Sequence, residues 1–340
     1  MATAKPSPEV VTIGSATEDV FIMTQGLCRI RIEGCETEES YFALPSGAKI
    51  DVDEMFISTG GGATNTAVTF RRFGLPTAAL AKVGDDRSGR TIRERLKREG
   101  IDTRLLNTDP EQRTGYSAIL SGFGAERTVL VYRGATLHLR ESDIDWDVLR
   151  RARLVFVGSL SGDSAKLYPA IASFCAEHGI RLAANPGSTQ FRAGVQAFAG
   201  VLKHLDMLFL NREEAHTFTR IPPKRGWHDE REMLRILLDA GPRCAVMTEG
   251  PRGCQAVDGQ AHYSVPACKV KAVSTLGAGD AFASACAAAV LKGEPLVRAL
   301  RYGAANAASV ISQIGAKRGV LTWDEATKAV AGCEAVAPPK

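Results

Sequence analysis

The sequence of 340 residues has no long hydrophobic run and no closely spaced cysteine pair. Its longest apolar stretch, residues 281–291, is too short to span a bilayer, and the first residues lack the apolar core of a signal peptide. None of the eight cysteines forms a C-x-x-C pair, and several lie in apolar patterns where a free thiol packs as a small hydrophobe. These absences predict a reduced, cytoplasmic protein that does not contact membranes.

Two common nucleotide-binding motifs are also missing. The chain has no G-x-x-x-x-G-K-[ST] phosphate loop, and no G-x-G-x-x-G follows the first apolar run. Both absences count against a P-loop nucleotidase and a dinucleotide-binding dehydrogenase. The net charge of +4 is small and spread along the chain, so no nucleic-acid partner is expected either.

Apolar runs that suit buried strands alternate with helical patterns along most of the chain. The runs predicted as core strands are residues 10–14, 77–84, 153–159, 180–185, 207–211 and 244–250. Because helices separate them, the strands should be parallel and covered on both faces. The predicted architecture is therefore a three-layer α/β/α sandwich with a mostly parallel central sheet.

Two segments depart from this alternation. Residues 21–57 and 114–133 contain shorter alternating patterns with turn residues between them, which are typical of half-exposed antiparallel strands. They are predicted to form a small sheet beside the main domain. The predicted division is an α/β core of residues 1–20, 58–113 and 134–335, a small β-sheet of residues 21–57 and 114–133, and a flexible tail of residues 336–340.

Three consecutive glycines, Gly60, Gly61 and Gly62, precede the first predicted helix. Glycines let a backbone approach a ligand closely, and the helix start beyond them offers free N–H groups to hydroxyls or anions. Asn65, in the first helical turn, is able to exchange hydrogen bonds with a polyol. The same pattern also fits a tight turn with a capped helix, so the cluster alone leaves both interpretations open.

A second glycine site lies in STLGAGDAF, residues 274–282. Gly277, Ala278 and Gly279 leave successive N–H groups exposed at the start of an alanine-rich helix, which favours an anion-binding site. Asp280 follows directly, and a carboxylate beside a bound anion is useful only if it removes a proton from the hydroxyl that attacks phosphorus. The alternative is an aspartate that caps the helix and contributes about 0.5–2 kcal/mol.

Taken together, these segments resemble a known enzyme family. GGGATNTAVTFRRFG at residues 60–74 and STLGAGDAFASACAAAVLKG at residues 274–293 are similar to the two signature motifs of the ribokinase-like (PfkB) carbohydrate kinases, in the family's order and spacing. The resemblance implies a ribokinase-like fold in which the small β-sheet is a lid over the sugar. It also implies a kinase that uses ATP and Mg²⁺, and a homodimer formed through the lid.

The resemblance assigns a role to each matching residue. Asp280 would be the catalytic base, Gly277, Ala278 and Gly279 would hold the transferring phosphoryl group, and Glu214 would organise Mg²⁺. The implied binding residues are Asn211, Thr248, Gly250, Gly253 and Asn306 for the nucleotide, and Asp19, Gly61, Gly62 and Asn65 for the sugar. Without the motifs, Glu214 would be interpreted as a solvated acid, Asp19 as a turn residue and Asn306 as an amide satisfied in the core or on a helix surface.

Three positions leave the substrate and the cation requirement open. Ser274 stands where the family usually has an aspartate that helps to hold a monovalent cation, so dependence on K⁺ is in doubt. Arg133 ends the second lid segment and would either pair with an acidic sugar or form a salt bridge of the lid. Asn185 lies at the carboxyl end of a predicted strand, where open α/β sheets bind ligands, and is a candidate contact for substrate or phosphate.

Two other functions also fit parts of the sequence. A nucleoside kinase of the same fold would need a wider, more apolar pocket, for which Phe21, Tyr41, Phe42 and Tyr116 are candidates. A non-catalytic regulator that binds a sugar or nucleotide would have no need of Asp280, so the intact motif favours a kinase. The sequence leaves sugar and nucleoside substrates unresolved.

Overall fold

The computed structural model describes residues 7–32, 39–123, 126–222 and 229–331. Its strands are β1 (Val10–Ile13), β2 (Thr17–Met23), β3 (Cys28–Ile32), β4 (Glu39–Ala43), β5 (Glu54–Gly60), β6 (Thr77–Gly84), β7 (Leu106–Asp109), β8 (Gly115–Phe123), β9 (Glu126–Tyr132), β10 (Leu154–Val157), β11 (Arg181–Ala184), β12 (Met207–Asn211), β13 (Cys244–Thr248), β14 (Cys254–Asp258) and β15 (His262–Val265). Its α-helices are α1 (Gly62–Arg72), α2 (Arg87–Arg98), α3 (Trp146–Arg150), α4 (Leu167–Glu177), α5 (Ser188–Ala193), α6 (Val195–Leu202), α7 (Arg212–Thr219), α8 (Glu230–Asp239), α9 (Ala278–Leu291), α10 (Leu296–Ile311) and α11 (Trp323–Val330).

The main sheet has nine strands in the order β15-β14-β13-β12-β11-β10-β1-β6-β7. The strands from β13 to β7 pair in parallel, whereas β14 and β15 are antiparallel. All six apolar runs predicted as core strands lie in this sheet. The strands missed by the prediction, β7, β14 and β15, are short or interrupted by polar residues and lie toward the two edges of the sheet.

Helices cover both faces of the sheet, and successive strand residues point to opposite sides. On β10, Val155 packs into the apolar layer that contains α3–α8, whereas Phe156 packs into the layer that contains α1, α9, α10 and α11. Because both faces are buried, parallel strands of this kind carry continuous apolar runs. The predicted three-layer α/β/α sandwich is the architecture observed.

A second sheet, called the lid sheet below, has four strands in the order β5-β2-β8-β9. It begins with β2 at Thr17 and includes β5 as far as Gly60, so residues 17–20 and 58–60, assigned to the core in the predicted division, belong to lid strands. In the predicted lid, β3 and β4 form a separate two-stranded sheet. The strand β5 runs into helix α1 with only Gly61 between them.

The two faces of the lid sheet differ in character. Register pairing places Asp19, Phe21, Ser117 and Val131 on the face that looks toward the main domain. The opposite face carries large apolar side chains that are exposed to solvent: Met55, Ile57, Tyr116, Leu130 and Tyr132. The alternation follows from the two-residue period of a β-strand.

Two further observations concern the composition-based predictions. Cys268 is disulfide-bonded, contrary to the expectation that the chain is fully reduced, whereas Cys175, Cys244, Cys254 and Cys286 are free and buried. The tail, residues 336–340, lies outside the described residues. Within the ranges given above, no helix combines the length and the apolar character needed to cross a membrane.

Candidate active site

A cavity of about 230 Å³ lies between the lid sheet and the carboxyl end of the main sheet. From the main domain it is lined by Gly61, Asn65, Gly277 and Asp280, and from the lid by Asp19, Ser117, Val129, Val131 and Arg133. The residues of the two glycine motifs are more than 200 positions apart in sequence, as Asn65 and Asp280 show. The fold therefore brings both motifs to one cavity.

Asp280 lies in the first turn of α9 and is held by an amide from the other motif. Asn65 Nδ2 donates a hydrogen bond of 2.8 Å to Asp280 Oδ2. Burial raises the pKa of Asp280, the hydrogen bond from Asn65 and the positive charge of Lys317 lower it, and the charge of Asp19 raises it. The net direction is upward, which brings this carboxylate closer to the pKa that suits a general base at neutral pH.

The start of α9 depends on Gly277. This residue is the N-cap of the helix with φ of 78°, a left-handed conformation, and a Cβ built on it would lie 2.4 Å from Ala316 Cβ. No side chain caps the helix at this end. Ala278 N–H makes a long hydrogen bond of 3.4 Å to the Thr275 carbonyl, and because no side chain caps the helix, the start of α9 can still offer backbone donors to an anion.

Helix α1 begins in a similar way at the other side of the cavity. Its N-cap, Gly61, has φ of 94° and makes no side-chain capping hydrogen bond, and a Cβ there would lie 2.4 Å from the carbonyl oxygen of Ser15. Gly62 N–H donates to Ser15 Oγ at 3.0 Å. In the next turn, Asn65 Oδ1 is buried and accepts no hydrogen bond from the residues that the structure describes. That acceptor is therefore suited to a ligand hydroxyl.

Asp19 is on β2 rather than in a turn after β1. Its side chain is 4% exposed and accepts a 2.9 Å hydrogen bond from Thr17 Oγ1. Burial raises its pKa, while Thr17, Lys317 and Ser117 lower it. A Cβ on Gly60 would lie 1.8 Å from Asp19 Oδ2, so only glycine fits beside this carboxylate. Asp19 thus meets the first glycine motif across the β2–β5 pair.

Lys317 is a charged residue of this region that the sequence analysis missed. It is 4% exposed, and its Nζ donates to the Thr59 carbonyl at 2.8 Å and to Thr64 Oγ1 at 2.7 Å. Burial lowers its pKa to about 7, although the charges of Asp19 and Asp280 act in the opposite direction. In the local sequence, nothing but the preceding Gly315 and Ala316 distinguishes Lys317 from a surface lysine. The residues that accept its hydrogen bonds are more than 250 positions away.

A larger cavity of about 470 Å³ opens on the other side of the α9 start. Three of the residues predicted to bind nucleotide line it: Thr248, Gly250 and Gly253. Ala278 and Gly279 also line it, whereas Gly277 lines the smaller cavity. The rest of its wall is mostly apolar, with Phe282, Ala304, Ala308 and Ile311 among its members. The beginning of α9 is thus the wall that the two cavities share.

Two predicted binding residues have other partners. Asn306 is fully buried, its Nδ2 donates to the Ala281 carbonyl, and its Oδ1 accepts from Leu321 N–H, both at 2.9 Å. It does not line the larger cavity, so the expected nucleotide contact is not supported and the core-satisfied amide describes it better. Asn185 Nδ2 donates to the Phe209 carbonyl at 2.9 Å and lines neither cavity.

Asn211 and Glu214 form a capping box at the start of α7. Asn211 Oδ1 accepts from Glu214 N–H, and Glu214 Oε2 accepts from Asn211 N–H, both at 2.8 Å. Burial raises the pKa of Glu214 to about 6, and the charges of Glu213 and Asp280 add to the shift. The described ranges contain no group of three metal-ligating side chains. Mg²⁺ commonly keeps several of its waters and binds through one or two carboxylates and phosphate oxygens.

Two lid arginines differ in their surroundings. Arg127, on β9, donates a hydrogen bond to Thr275 Oγ1 in the second glycine motif, and burial lowers the pKa of its guanidinium. Arg133 is exposed and lines the smaller cavity. No carboxylate of the described residues forms an ion pair with either of them. Arg127 was missed by the sequence analysis because its partner is 148 positions away.

The aromatic residues considered for a nucleoside pocket lie elsewhere. Phe21 is buried against Phe56, with ring centroids 6.0 Å apart, and Tyr116 is exposed on the outer lid face. Tyr41 and Phe42 are on β4. None of the four lines the smaller cavity. The arrangement instead brings together a small polar cavity, a carboxylate that can accept a proton, an uncapped helix start and a larger apolar cavity.

Comparisons with known proteins agree with this chemistry. The family model described as pfkB family carbohydrate kinase matches residues 19–323. The chain is 27% identical to fructokinase-2 of Oryza sativa subsp. japonica over 80% of this chain and 86% of that protein, and 26% identical to ribokinase of Haemophilus influenzae over 84% and 91%. The structure of Arabidopsis thaliana ribokinase complexed with ribose and ATP aligns with a TM-score of 0.79 and 20% identity, covering 96% of this chain and 99% of that one.

Proposed function

Because this chain belongs to the pfkB family of carbohydrate kinases, we propose that it transfers the γ-phosphoryl group of ATP to a hydroxymethyl group of a small sugar. The family resemblance and the predicted phosphotransferase class are confirmed. The observation that carries the proposal is the position of Asp280, held by Asn65 at the wall between the two cavities. The choice of acceptor and the roles of individual residues are parts of this proposal.

The smaller cavity suits a sugar better than a nucleoside. At about 230 Å³ it has space for one small ring, and its wall offers hydroxyl groups Asp19, Ser117 and Asn65 Oδ1, which has no partner among the described residues. Gly61 and Gly62 let the backbone come close to the ligand. A purine base would need additional apolar surface, and the candidate aromatic residues do not line this cavity.

The larger cavity is the proposed site of the nucleotide. Its apolar wall suits the adenine ring, and Thr248, Gly250 and Gly253 lie where phosphate or ribose would meet the backbone. Glu214 is the residue that would orient Mg²⁺ through its water shell. When bound, the cation would neutralise phosphate charge, as it does in phosphoryl transfer generally.

Transfer of the phosphoryl group past the start of α9, from the larger cavity to the smaller, needs a group that accepts the proton of the attacking hydroxyl. It also needs a site that binds the phosphoryl oxygens. Asp280 would accept the proton of the attacking hydroxyl while the new O–P bond forms and the bond from the γ-phosphorus to the bridging oxygen of ADP breaks. A positioned base of this kind typically contributes about 10²–10⁴-fold. The N–H groups of Gly277, Ala278 and Gly279 would hold the phosphoryl oxygens at the positive end of α9.

The lid would contribute to the same step through Arg127. A half-buried guanidinium without a carboxylate partner is costly, and an anion bound at Thr275 would relieve that cost. Closure of the lid also excludes water, which competes with the sugar for the phosphoryl group. Arg133 lies at the open side of the sugar cavity, where it would favour acceptors that carry a carboxylate.

A monovalent cation is not expected to be essential. Ser274 N–H donates to the Ile311 carbonyl at 3.1 Å, and its neutral hydroxyl replaces the aspartate that the family usually has. A site without that negative charge binds K⁺ weakly. Initial rates measured with and without K⁺ at constant ionic strength should therefore differ little.

We also propose that a second copy of the chain covers the outer face of the lid. Met55 and Ile57 on β5 and Leu130 and Tyr132 on β9, the two edge strands of the lid sheet, are each at least half exposed. Exposed apolar side chains that share one sheet face are typical of an interaction surface, and a sheet face pairs readily with its own copy about a two-fold axis. Analytical ultracentrifugation of the Ile57→Lys variant should show a monomer.

The kinase proposal is tested by an acceptor panel. Purified protein is mixed with ATP, Mg²⁺ and ribose, fructose, a 2-keto-3-deoxy sugar acid or adenosine, and ADP release is followed together with the phosphorylated product. We expect turnover of a sugar or sugar acid and a loss of about 10²-fold or more in Asp280→Asn. The control Asp324→Asn changes an exposed acid in the first turn of α11 and should keep full activity.

The possible outcomes separate the alternatives. Phosphorylation of adenosine alone would replace the sugar by a nucleoside. Binding of ATP and sugar without turnover would indicate the non-catalytic regulator. Full activity of Asp280→Asn would overturn the mechanism while leaving the enzyme class intact.

A further inference from the structure

Lys317 is a buried ammonium group at the junction of the lid and the main domain. Its Nζ donates to the Thr59 carbonyl at 2.8 Å, to Thr59 Oγ1 at 3.1 Å and to Thr64 Oγ1 at 2.7 Å. Thr59 belongs to lid strand β5 and Thr64 to helix α1. Three donated hydrogen bonds use the full donor capacity of an ammonium group. The side chain therefore joins three separate parts of the chain.

These contacts hold the segment that shapes the sugar cavity. Thr64 Oγ1, which accepts from Lys317, donates in turn to the Gly60 carbonyl at 2.6 Å. Gly60 is the residue that leaves space for the Asp19 carboxylate, and the next residue after Thr64 is Asn65, the partner of Asp280. Displacement of this segment would therefore move both the sugar-binding carboxylate and the amide that orients the base.

The charge of Lys317 also acts on both carboxylates of the cavity. Its positive charge interacts with Asp19 and with Asp280, while Asp19 and Asp280 repel each other. The other charged groups that act on Lys317 are Arg95 and Glu99, on α2 and at its end. A neutral donor would satisfy Thr59 and Thr64 without the cost of burying a charge. The presence of a lysine rather than a neutral donor at this position therefore needs an explanation beyond its hydrogen bonds.

We propose that Lys317 is a positioning residue for phosphoryl transfer, which fixes the segment from Thr59 to Asn65 and places one positive charge opposite Asp19 and Asp280. The inference rests on the proposed kinase function. The charge favours the carboxylate form of Asp280, the form that accepts a proton. Its effect on the reaction is therefore exerted through Asp280 and Asn65, and Lys317 itself does not contact the reacting atoms.

Two variants separate the effect of the charge of Lys317 from the effect of its hydrogen bonds. Lys317→Gln keeps N–H donors for Thr59 and Thr64 but removes the charge. The acidic limb of the profile of kcat/KM against pH should then move upward by about 1 unit, because the opposite charge near Asp280 is lost. Thr64→Val keeps the charge but removes the hydrogen bond from Lys317 and the one to the Gly60 carbonyl, so the sugar KM should rise about tenfold while the midpoint of the acidic limb stays in place.

A matched control uses another lysine of low exposure. Lys82 Nζ donates to Asp143 Oδ2 at 2.8 Å, and its side chain is 11% exposed, but the residue lines neither cavity. Lys82→Gln should lower the thermal stability without moving the midpoint of the acidic limb. Lys317→Arg, which restores the charge, should return that midpoint to the wild-type value even where the larger side chain lowers kcat.

The result that would overturn the inference is a Lys317→Gln enzyme that folds and keeps the wild-type midpoint. A purely structural lysine would lower the active fraction equally at every pH. If Lys317→Gln does not fold, Lys317→Met removes the charge without leaving a polar group in the interior. The midpoint of the acidic limb measured for Lys317→Met then tests the inference in the same way. Failure of the wild-type protein to phosphorylate any acceptor would instead refute the kinase proposal, so the two failures are distinguishable.

Discussion

Gly277 and Gly279 lie two residues apart in one motif, yet the structure predicts opposite effects on stability when each is changed to alanine. Gly277 has φ of 78°, and an added Cβ would lie 2.4 Å from Ala316 Cβ and 2.9 Å from Ala316 Cα. A left-handed alanine costs about 1–2 kcal/mol, and overpacking against backbone adds about 1–3 kcal/mol. We therefore expect Gly277→Ala to lower the free energy of unfolding by about 2–5 kcal/mol.

Gly279 is different because it lies within α9, and a Cβ there would meet no atom within 4 Å. Alanine is favoured over glycine by about 0.5–1 kcal/mol in a helix interior and by less in the first turn, where Gly279 lies, so Gly279→Ala should raise the free energy of unfolding by at most about 0.5–1 kcal/mol. The added methyl group would nevertheless enter the larger cavity, which Gly279 lines. The KM for ATP should therefore rise although the protein becomes more stable.

Urea denaturation followed by circular dichroism gives the two stabilities, and initial rates at varied ATP give KM and kcat. Gly277→Ala should also lose about 10²-fold in kcat, since the N–H groups at the start of α9 would be displaced. The reasoning fails if Gly277→Ala is as stable as the wild type, or if Gly279→Ala is destabilised. Activity losses alone would not test it, because both glycines belong to the proposed anion site.

Three further predictions concern single side chains. Arg127→Gln should lower kcat about 10-fold or more with little change in the sugar KM, since a charge-assisted contact to the transferring phosphoryl group would be lost. An unchanged kcat in steady-state assays would contradict this role. Asn306→Leu should lower the unfolding free energy by about 1–3 kcal/mol, because the Ala281 carbonyl and Leu321 N–H lose their partners. The KM for ATP of the folded enzyme should stay the same. A raised KM for ATP with normal stability would restore the nucleotide-binding role of Asn306. The pKa of Glu214 is about 6, so protonation below that pH removes its negative charge. The Mg²⁺ concentration needed for half-maximal rate should therefore increase as the pH falls from 7 to 5. In Glu214→Gln this concentration should already be high at pH 7 and should vary little with pH.

The sequence predicted the parts of the fold whose cause is local. The six central strands carry continuous apolar runs because helices cover both their faces, and each run lies in the main sheet. The strand β14, CQAVD, could not be recognised in this way, since it lies near the edge of the sheet and alternates polar with apolar residues. The start of the lid was placed too late because β2 is buried on its inner face and continues almost directly from β1.

The site was predictable where one short segment contains the whole arrangement. Gly277 and Asp280 lie three residues apart, and the helix start that contains them can be recognised from this segment alone, although Asp280 also accepts a hydrogen bond from the distant Asn65. Lys317 and Arg127 were missed because each is recognised only by what it contacts, at separations of 258 and 148 positions. Asn306 is the opposite case, because its position in α10 suggested a ligand while the two backbone groups that bind its amide belong to other segments.

Successive side chains of the lid strands alternate between the two faces of the sheet, and this limits where residues can be inserted or deleted. Asp19 and Val20 are neighbours on β2, and one side chain belongs to the inner face while the other belongs to the outer face. A single residue inserted into β2 would exchange these faces, turning a carboxylate outward and an apolar side chain toward the substrate. Insertions and deletions in related chains should therefore collect in the connections between lid strands, whereas substitutions within the strands can alter the inner and outer faces independently.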